Sequence, residues 1–232
     1  MRLDKFLANH GIGTRTEVKQ LIKKGAVTVN DDIVKKPEYK VNEASDVIKC
    51  NGTTIEYEKE LYIILNKPQG VISATEDNLH TTVVDLMPEF SHFNIHPVGR
   101  LDKDTEGLLI LTTDGQFSHR VLSPSKHVNK TYRAKLDGEV DVEAVNLFKM
   151  GITLEDGYRC MPAQLNILSP DNIEVTIQEG KFHQVKRMFQ AIGLNVIYLK
   201  RMRMGNLDLP ADLDTGQYRK MTIEEINLVQ HV

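Results

Sequence analysis

Hydrophobic periodicity changes character once along this chain, near residue 60, and that change limits the fold to two dissimilar parts. Before it, apolar residues recur at helical spacing: Leu3, Phe6 and Leu7 make one short amphipathic helix. After the break at Gly11-Ile12-Gly13, Thr14 and Glu17 stand at the spacing of a capping box, where each side chain satisfies a free backbone N–H at a helix start. Val18, Leu21 and Ile22 form the buried stripe of that helix, and Gly25 is placed to end it. Val27-Thr28-Val29 and Ile33-Val34 read as short strands around the turn Asn30-Asp31-Asp32. Val47-Ile48-Lys49-Cys50 and Thr53-Thr54-Ile55 flank Asn51-Gly52, a pair that tolerates positive φ and so predicts a two-residue hairpin. The expectation is a small helix–helix–β domain over residues 1–58, followed by a polar linker at Glu58-Lys59-Glu60.

From Leu61 onward strand-like patterns dominate. Leu61-Tyr62-Ile63-Ile64-Leu65 is a continuous apolar run stopped by Lys67-Pro68, and Leu108 to Leu111 is another, ended by Asp114-Gly115. Lys135 and its neighbours in Thr131–Leu136 alternate like a strand, as does Ile173–Ile177. Helices are expected over Val142–Met150, over His183–Ile192, and after a second capping box at Thr222/Glu225. Strands and helices mix without strict βαβ alternation, so the larger domain, residues 61–232, is expected to be α+β with a mainly antiparallel mixed sheet.

Composition excludes several classes. No run of about 18 apolar residues exists to span a bilayer, and the N-terminus lacks the apolar stretch of a signal peptide. The two cysteines, Cys50 and Cys160, are far apart and form no metal-binding pair. A cytoplasmic monomer is expected. The net charge of -3 looks unfavourable for a polyanionic partner, but the charge is polarised. Residues 1–30 carry six Lys or Arg (Arg2, Lys5, Arg15, Lys19, Lys23, Lys24) against two acids. Residues 181–203 carry another six (Lys181, Lys186, Arg187, Lys200, Arg201, Arg203) and no acid. Phosphate contacts are local, so two basic ends matter more than the total.

The most informative stretch is Gly99-Arg100-Leu101-Asp102-Lys103-Asp104-Thr105-Glu106-Gly107-Leu108. Five charged residues crowd a loop held between two glycines and against an apolar strand. No Gly-x-x-x-x-Gly-Lys-Ser/Thr run exists to cradle a nucleotide phosphate. Asp102 and Asp104 could together hold a magnesium ion, and an Asp-x-Asp pair alone does not decide the matter. His92 and His96 imitate a metal pair, but no third ligand has suitable spacing and Pro97 argues against a helix there.

This loop resembles the active-site motif of the pseudouridine synthases, in particular the branch that modifies ribosomal RNA. Supporting runs follow in the expected order: Leu65-Asn66-Lys67-Pro68-Gln69-Gly70, Lys130-Thr131-Tyr132, and Glu179-Gly180-Lys181-Phe182-His183-Gln184-Val185-Lys186-Arg187-Met188-Phe189. The first 58 residues resemble the alpha-L RNA-binding domain of the ribosomal-protein S-four type. The wording His-Gln-Val-Lys-Arg-Met-Phe is similar to that of the small-subunit ribosomal RNA branch.

The resemblance implies isomerisation of uridine to pseudouridine, in which the C1′–N1 bond breaks and the base rejoins through C5. Nothing is oxidised and no group is donated, so no cofactor or metal is expected. By motif position Asp102 is the catalytic carboxylate, acting on the sugar as nucleophile or by starting proton removal. Lys186 is its basic partner, expected to make a single-point contact where an Arg would offer a fork. Tyr132 holds the base. A target hidden in a stack must be extruded, and Arg100 is the residue implied to fill the vacated space or hold the adjacent phosphate. His183 is expected to support Lys186 by hydrogen bonding. In Lys200-Arg201-Met202-Arg203-Met204 an alternating strand would turn Met202 and Met204 inward and Arg201 and Arg203 toward RNA. The partner is thus ribosomal RNA or a ribosomal assembly intermediate. Three alternatives stand beside this: the same reaction on large-subunit RNA, a non-catalytic ribosome-associated RNA binder, and a magnesium-dependent RNA hydrolase.

Overall fold

The computed structural model describes residues 1–43, 45–55, 60–91, 93–123 and 126–230. They form two compact units: Met1–Leu61 with Val84–His96, and Tyr62–Val83 with Pro97–Val232. Glu58 and Lys59 of the expected linker, and His92, lie outside the described residues.

In the first unit, α1 (Leu3–Asn9) and α2 (Arg15–Lys23) precede β1 (Val27–Val29), β2 (Asp32–Ile33), β3 (Ile48–Cys50) and β4 (Thr53–Thr54). The capping box forms as expected: Glu17 N–H donates to Thr14 Oγ1 and Thr14 N–H to Glu17 Oε2, at 3.3 and 2.7 Å. Helix α2 ends at Gly25 (φ +79), with Gly25 N–H donating to Ile22 O and Ala26 N–H to Leu21 O. Asn51 and Gly52 both take positive φ between β3 and β4, the geometry a tight hairpin requires. Asn30 and Asp31 do the same between β1 and β2, so Asp32 begins the strand rather than closing the turn. The strands run in the order β2-β1-β3-β4. Leu3, Phe6, Leu7, Val18 and Ile22 pack with Val27 and Ile48 into one core, each burial being worth roughly 1.5–3 kcal/mol.

The chain leaves this unit at β5 (Tyr62–Lys67) and re-enters the second through β6 (His96–Pro97). His96 is therefore in a strand and not in a helix. The remaining strands are β7 (Glu106–Thr112), β8 (Lys130–Leu136), β9 (Gln164–Ser169), β10 (Asn172–Ile177), β11 (Val196–Met204), β12 (Leu207–Asp208) and β13 (Tyr218–Lys220). The sheet runs β13-β5-β7-β11-β8-β10-β9, with β12 beside β11. Only β7 and β11 pair in parallel along that path; the other neighbours are antiparallel. The fold is the expected α+β with a mainly antiparallel mixed sheet.

Helices α3 (Gly115–Leu122), α4 (Val142–Met150), α5 (Gln184–Gln190) and α6 (Ile223–Gln230) accompany the sheet. Helix α4 has the expected bounds, capped by Asp141 through Ala144 N–H at 3.0 Å. Helix α3 was not expected. Asp114-Gly115, read as a stop, instead starts it: Asp114 Oδ1 accepts from Gln116 and Phe117 N–H at 2.8 and 3.0 Å. Phe117 and Val121 of α3 and Val229 of α6 join Ile64, Leu108 and Ile110 in a core on one face of the sheet.

Strand β11 corrects an expectation. Its register against β8 slips between Arg201 and Arg203, and such a bulge resets the inward–outward alternation. Leu199, Arg201 and Met204 are buried, Met202 is half-buried, and Arg203 is exposed. Arg201, at 1 % exposure, donates its Nε–H to Leu108 O at 2.7 Å. It does not face solvent, so the expected RNA contact from Arg201 is withdrawn.

Candidate active site

The charged loop Gly99–Thr105 is fixed from below by residues of β5 and the segment after it. Lys67, fully buried at the end of β5, points its ammonium into the loop and donates to Pro68 O, Asp102 O and Thr105 O at 3.0, 3.1 and 2.9 Å. Ser73 grips Leu101 twice, its Oγ accepting from Leu101 N–H and donating to Leu101 O at 3.0 and 2.9 Å. Gly70 N–H donates to Lys103 O at 2.8 Å. The carbonyls of the loop around Asp102 are therefore satisfied by Lys67, Ser73 and Gly70, while Leu101 and Thr105 turn inward. Burial pushes the Lys67 ammonium down to about 8, against the opposing pull of Asp102, Asp104 and Glu106.

Gly107 sets the loop against the sheet. Its φ is +102°, and a Cβ there would stand 2.2 Å from Arg201 O. Only glycine fits where β7 meets β11 so closely.

Above the loop, α5 brings in the cation. Its stripe is Val185, Met188 and Phe189, all buried. Ile192 lies past the helix end, half-buried. Lys186 leaves that stripe, and its Nζ stands 3.2 Å from Asp102 Oδ2 and 2.6 Å from Asp104 Oδ1. The contact with Asp102 is a single point, as expected, and the same ammonium also reaches Asp104. Burial works against the Lys186 charge, but the hydrogen bond to Asp104 and the nearby Asp102 raise its pKa above the usual lysine value. The same hydrogen bond holds Asp104 below the usual carboxylate range. The lysine ammonium stands between the two carboxylates and offsets one of their two negative charges.

His183 was expected inside this helix; it is instead the residue before it, in the left-handed region at φ +49. A non-glycine residue there carries strain of order 1 kcal/mol or more. The conformation places His183 Nε2 3.6 Å from Asp102 Oδ1, so it flanks the aspartate rather than supporting Lys186. Tyr132, 7 % exposed, lies in β8 opposite Arg201 of β11 and Val175 of β10.

Arg100, Asp102, Tyr132, Lys181, His183 and Lys186 line one open cleft. Six residues from three sequence motifs thus converge. Arg187 does not join them, because it turns to Asp156 and borders another hollow with Thr153 and Glu155. Arg203 is paired with Asp208. In the first unit, Arg2, Lys5, Arg15 and Lys19 surround a second cleft together with Asp4. Arg2 is bound there bidentately by Asp4, at 3.0 and 2.9 Å. Lys23 and Lys24 are exposed at the end of α2. Among the described residues no group of three His, Cys, Asp or Glu is placed to hold a metal ion, and no helix is long and apolar enough to cross a membrane.

Reading the sequence missed Lys67 and Ser73, and took Asp104 only as half of a possible magnesium pair. Lys67 and Asp104 lie within motifs already singled out, but their partners are backbone carbonyls and a lysine distant in sequence. A basic helix–helix–β unit and an α+β domain that carries a lysine-braced aspartate loop are the arrangement expected from the sequence. The comparisons with known proteins agree. The chain belongs to the RNA pseudouridylate synthase family, whose model matches residues 61–191, and residues 1–48 match the S4 domain. It is 46% identical to an uncharacterized RNA pseudouridine synthase, YtzG, of Bacillus subtilis, over 99% of this chain and 98% of that one. It is 43% identical to ribosomal small subunit pseudouridine synthase A of Vibrio cholerae, over 97% and 98% respectively. A crystal structure of a pseudouridylate synthase matches with a TM-score of 0.71 and 37% identity, covering 99% of both chains.

Proposed function

We propose that this enzyme converts one uridine of small-subunit ribosomal RNA to pseudouridine, with Asp102 as the catalytic carboxylate. The observation that carries the reading is the contact of Asp102 with Lys186 at 3.2 Å, in a cleft that Tyr132 also lines. Lys186 sets a positive charge directly beside that carboxylate.

The chemistry conserves every atom. The C1′–N1 bond breaks as Asp102 adds to C1′ or removes a proton from the sugar; the uracil turns; C5 bonds to C1′ as the Asp102–C1′ bond breaks, or as the sugar regains its proton; the C5 hydrogen then leaves as a proton, and N1 gains one. Tyr132 holds the base through the turn with its ring, and its hydroxyl is available for proton transfer. The target must leave its stack to reach Asp102, and Arg100 at the cleft edge takes the vacated position or its phosphate. Residues 1–58 act as the RNA-binding domain, with Arg2, Lys5, Arg15, Lys19, Lys23 and Lys24 meeting phosphates, and residues 61–232 act as the catalytic one. The small-subunit address is supported by the relative named for that subunit at 43% identity over nearly its whole length.

The test is a map of pseudouridines in ribosomal RNA from cells with and without the gene. One site lost from small-subunit RNA is expected. A site lost only from large-subunit RNA would move the address and leave the chemistry standing.

A further inference from the structure

Phe182 is 76 % exposed, on the same segment that delivers Lys181, His183 and Lys186 to the cleft. The segment is tightly held. Glu179 at its base accepts hydrogen bonds from the Tyr158 hydroxyl, from Met161 N–H at 2.8 Å and from Gln184 Nε2 at 2.9 Å. Gln184 Oε1 accepts from Lys181 N–H at 3.0 Å, and Lys181 Nζ rests 4.8 Å above the Tyr158 ring. The same run buries Val185, Met188 and Phe189 almost completely, so apolar side chains here reach the core when the backbone lets them. Phe182 is directed elsewhere.

Its ring lies against the His183 ring, centroids 3.7 Å apart and planes inclined by 19°. His183 in turn stands 3.6 Å from Asp102. From the carboxylate outward the order is Asp102, imidazole, phenyl ring, solvent. The phenyl ring is thus a flat apolar surface one side chain removed from the reacting group. Lys181, its exposed neighbour in sequence, provides a cation suited to a polyanion.

A uridine drawn into the cleft leaves its neighbours in the strand without a stacking partner. We propose that a nucleobase adjacent to the target uridine in the same RNA strand stacks on the outer face of Phe182, extending the Phe182–His183 stack. This rests on the reading of the cleft as the uridine site. Such a platform accepts any base, since each has a π-face, and it requires a base already unpaired. Phe182 would therefore select for local single-strandedness beside the target, not for sequence.

The test uses the full chain and, first, ribosomal RNA transcripts with uridine tritiated at C5; the label is released when C5 bonds to C1′. Once the converted uridine is located, a synthetic fragment containing it is made with an abasic nucleotide on its 5′ or 3′ side. Phe182→Ala is expected to raise the RNA concentration for half-maximal rate roughly 5- to 150-fold, the size of one base–aromatic stack, with the saturating rate within a few-fold. Phe182→Tyr keeps the native behaviour. An abasic nucleotide on one of the two sides should cost the native chain a similar factor and Phe182→Ala nothing further. Native behaviour of Phe182→Ala, or losses that multiply with both abasic substrates, would overturn the inference. Failure of the native chain to release tritium from any ribosomal transcript, bare or in a partly assembled subunit, would instead refute the parent reading, and this inference with it.

Discussion

Lys186 Nζ lies 2.6 Å from Asp104 Oδ1, closer than to the proposed catalytic carboxylate of Asp102 at 3.2 Å. Asp104, with 70% of its side chain exposed, orients the lysine from the solvent side and leaves Asp102 facing the cleft. Lys186→Met removes the cation from between two carboxylates. A loss on the order of 100-fold in kcat/KM is expected, about 3 kcal/mol, the upper range for a charge-assisted hydrogen bond. Lys186→Arg should recover most of it, since a guanidinium can bridge both oxygens. Steady-state kinetics of the two variants, with melting curves to show that both fold, checks this; equal activity of Met and Arg variants contradicts it.

Lys67 is fully buried and has a folded pKa near 8 against 10.5 for a free lysine. It binds its proton less tightly when folded, so between about pH 8 and 10.5 the unfolded chain holds a proton that the native state has shed. Stability from this group therefore rises with pH across that window. Lys130, pushed down to about 8 chiefly by burial, contributes with the same sign. Lys67→Met removes one of these two contributions. Denaturant titrations should show the stability gap between native chain and variant widening in the native chain's favour from pH 8 to 10.5. A gap independent of pH contradicts the burial account.

Gly107→Ala should be among the most damaging small substitutions. The added methyl meets Arg201 O at 2.2 Å on a backbone with φ +102. A loss of more than about 3 kcal/mol is expected, combining strain with a displaced strand. Gly52→Ala is the control: it too has positive φ, but nothing lies within 4 Å of its Cβ, so roughly 1 kcal/mol is expected. Thermal melts of both decide; similar shifts would mean that the β7–β11 approach is not what fixes Gly107.

In the first unit, Arg15 and Lys19 border the same cleft. Replacing both by Gln should weaken RNA binding and lower the steepness of its salt dependence by roughly one to two counterions. Pseudouridine formation at saturating RNA should stay near the native rate. Binding measured across a salt series checks this, and an unchanged slope would remove these residues from the interface.

What was legible in the sequence was mostly local. Thr14 and Glu17 cap α2 because four residues suffice to close that hydrogen-bonded ring, and Asn51-Gly52 turns a hairpin because positive φ is written into the pair. The aspartate loop was legible as a motif, and its closeness to Tyr132 and Lys186 followed from resemblance. Helix α3 was hidden because its apolar stripe is only Phe117 and Val121, and its cap, Asp114-Gly115, has the composition of a turn. Arg201 misled because one bulge reverses a strand's faces and leaves no mark in the residues around it. The roles of Lys67 and Asp104 depend on partners 35 and 82 residues away, and no spacing rule reaches that far.

The central claim is that the Asp102 carboxylate does the chemistry. Asp102→Asn keeps the shape and removes the charge, while the backbone hold from Lys67 onto residue 102 is unaffected by the side chain. Under single-turnover conditions with the RNA that the native chain converts, the account predicts no pseudouridine above background and an RNA affinity within a few-fold of native. Pseudouridine formed by Asp102→Asn at a rate near the native one would contradict it.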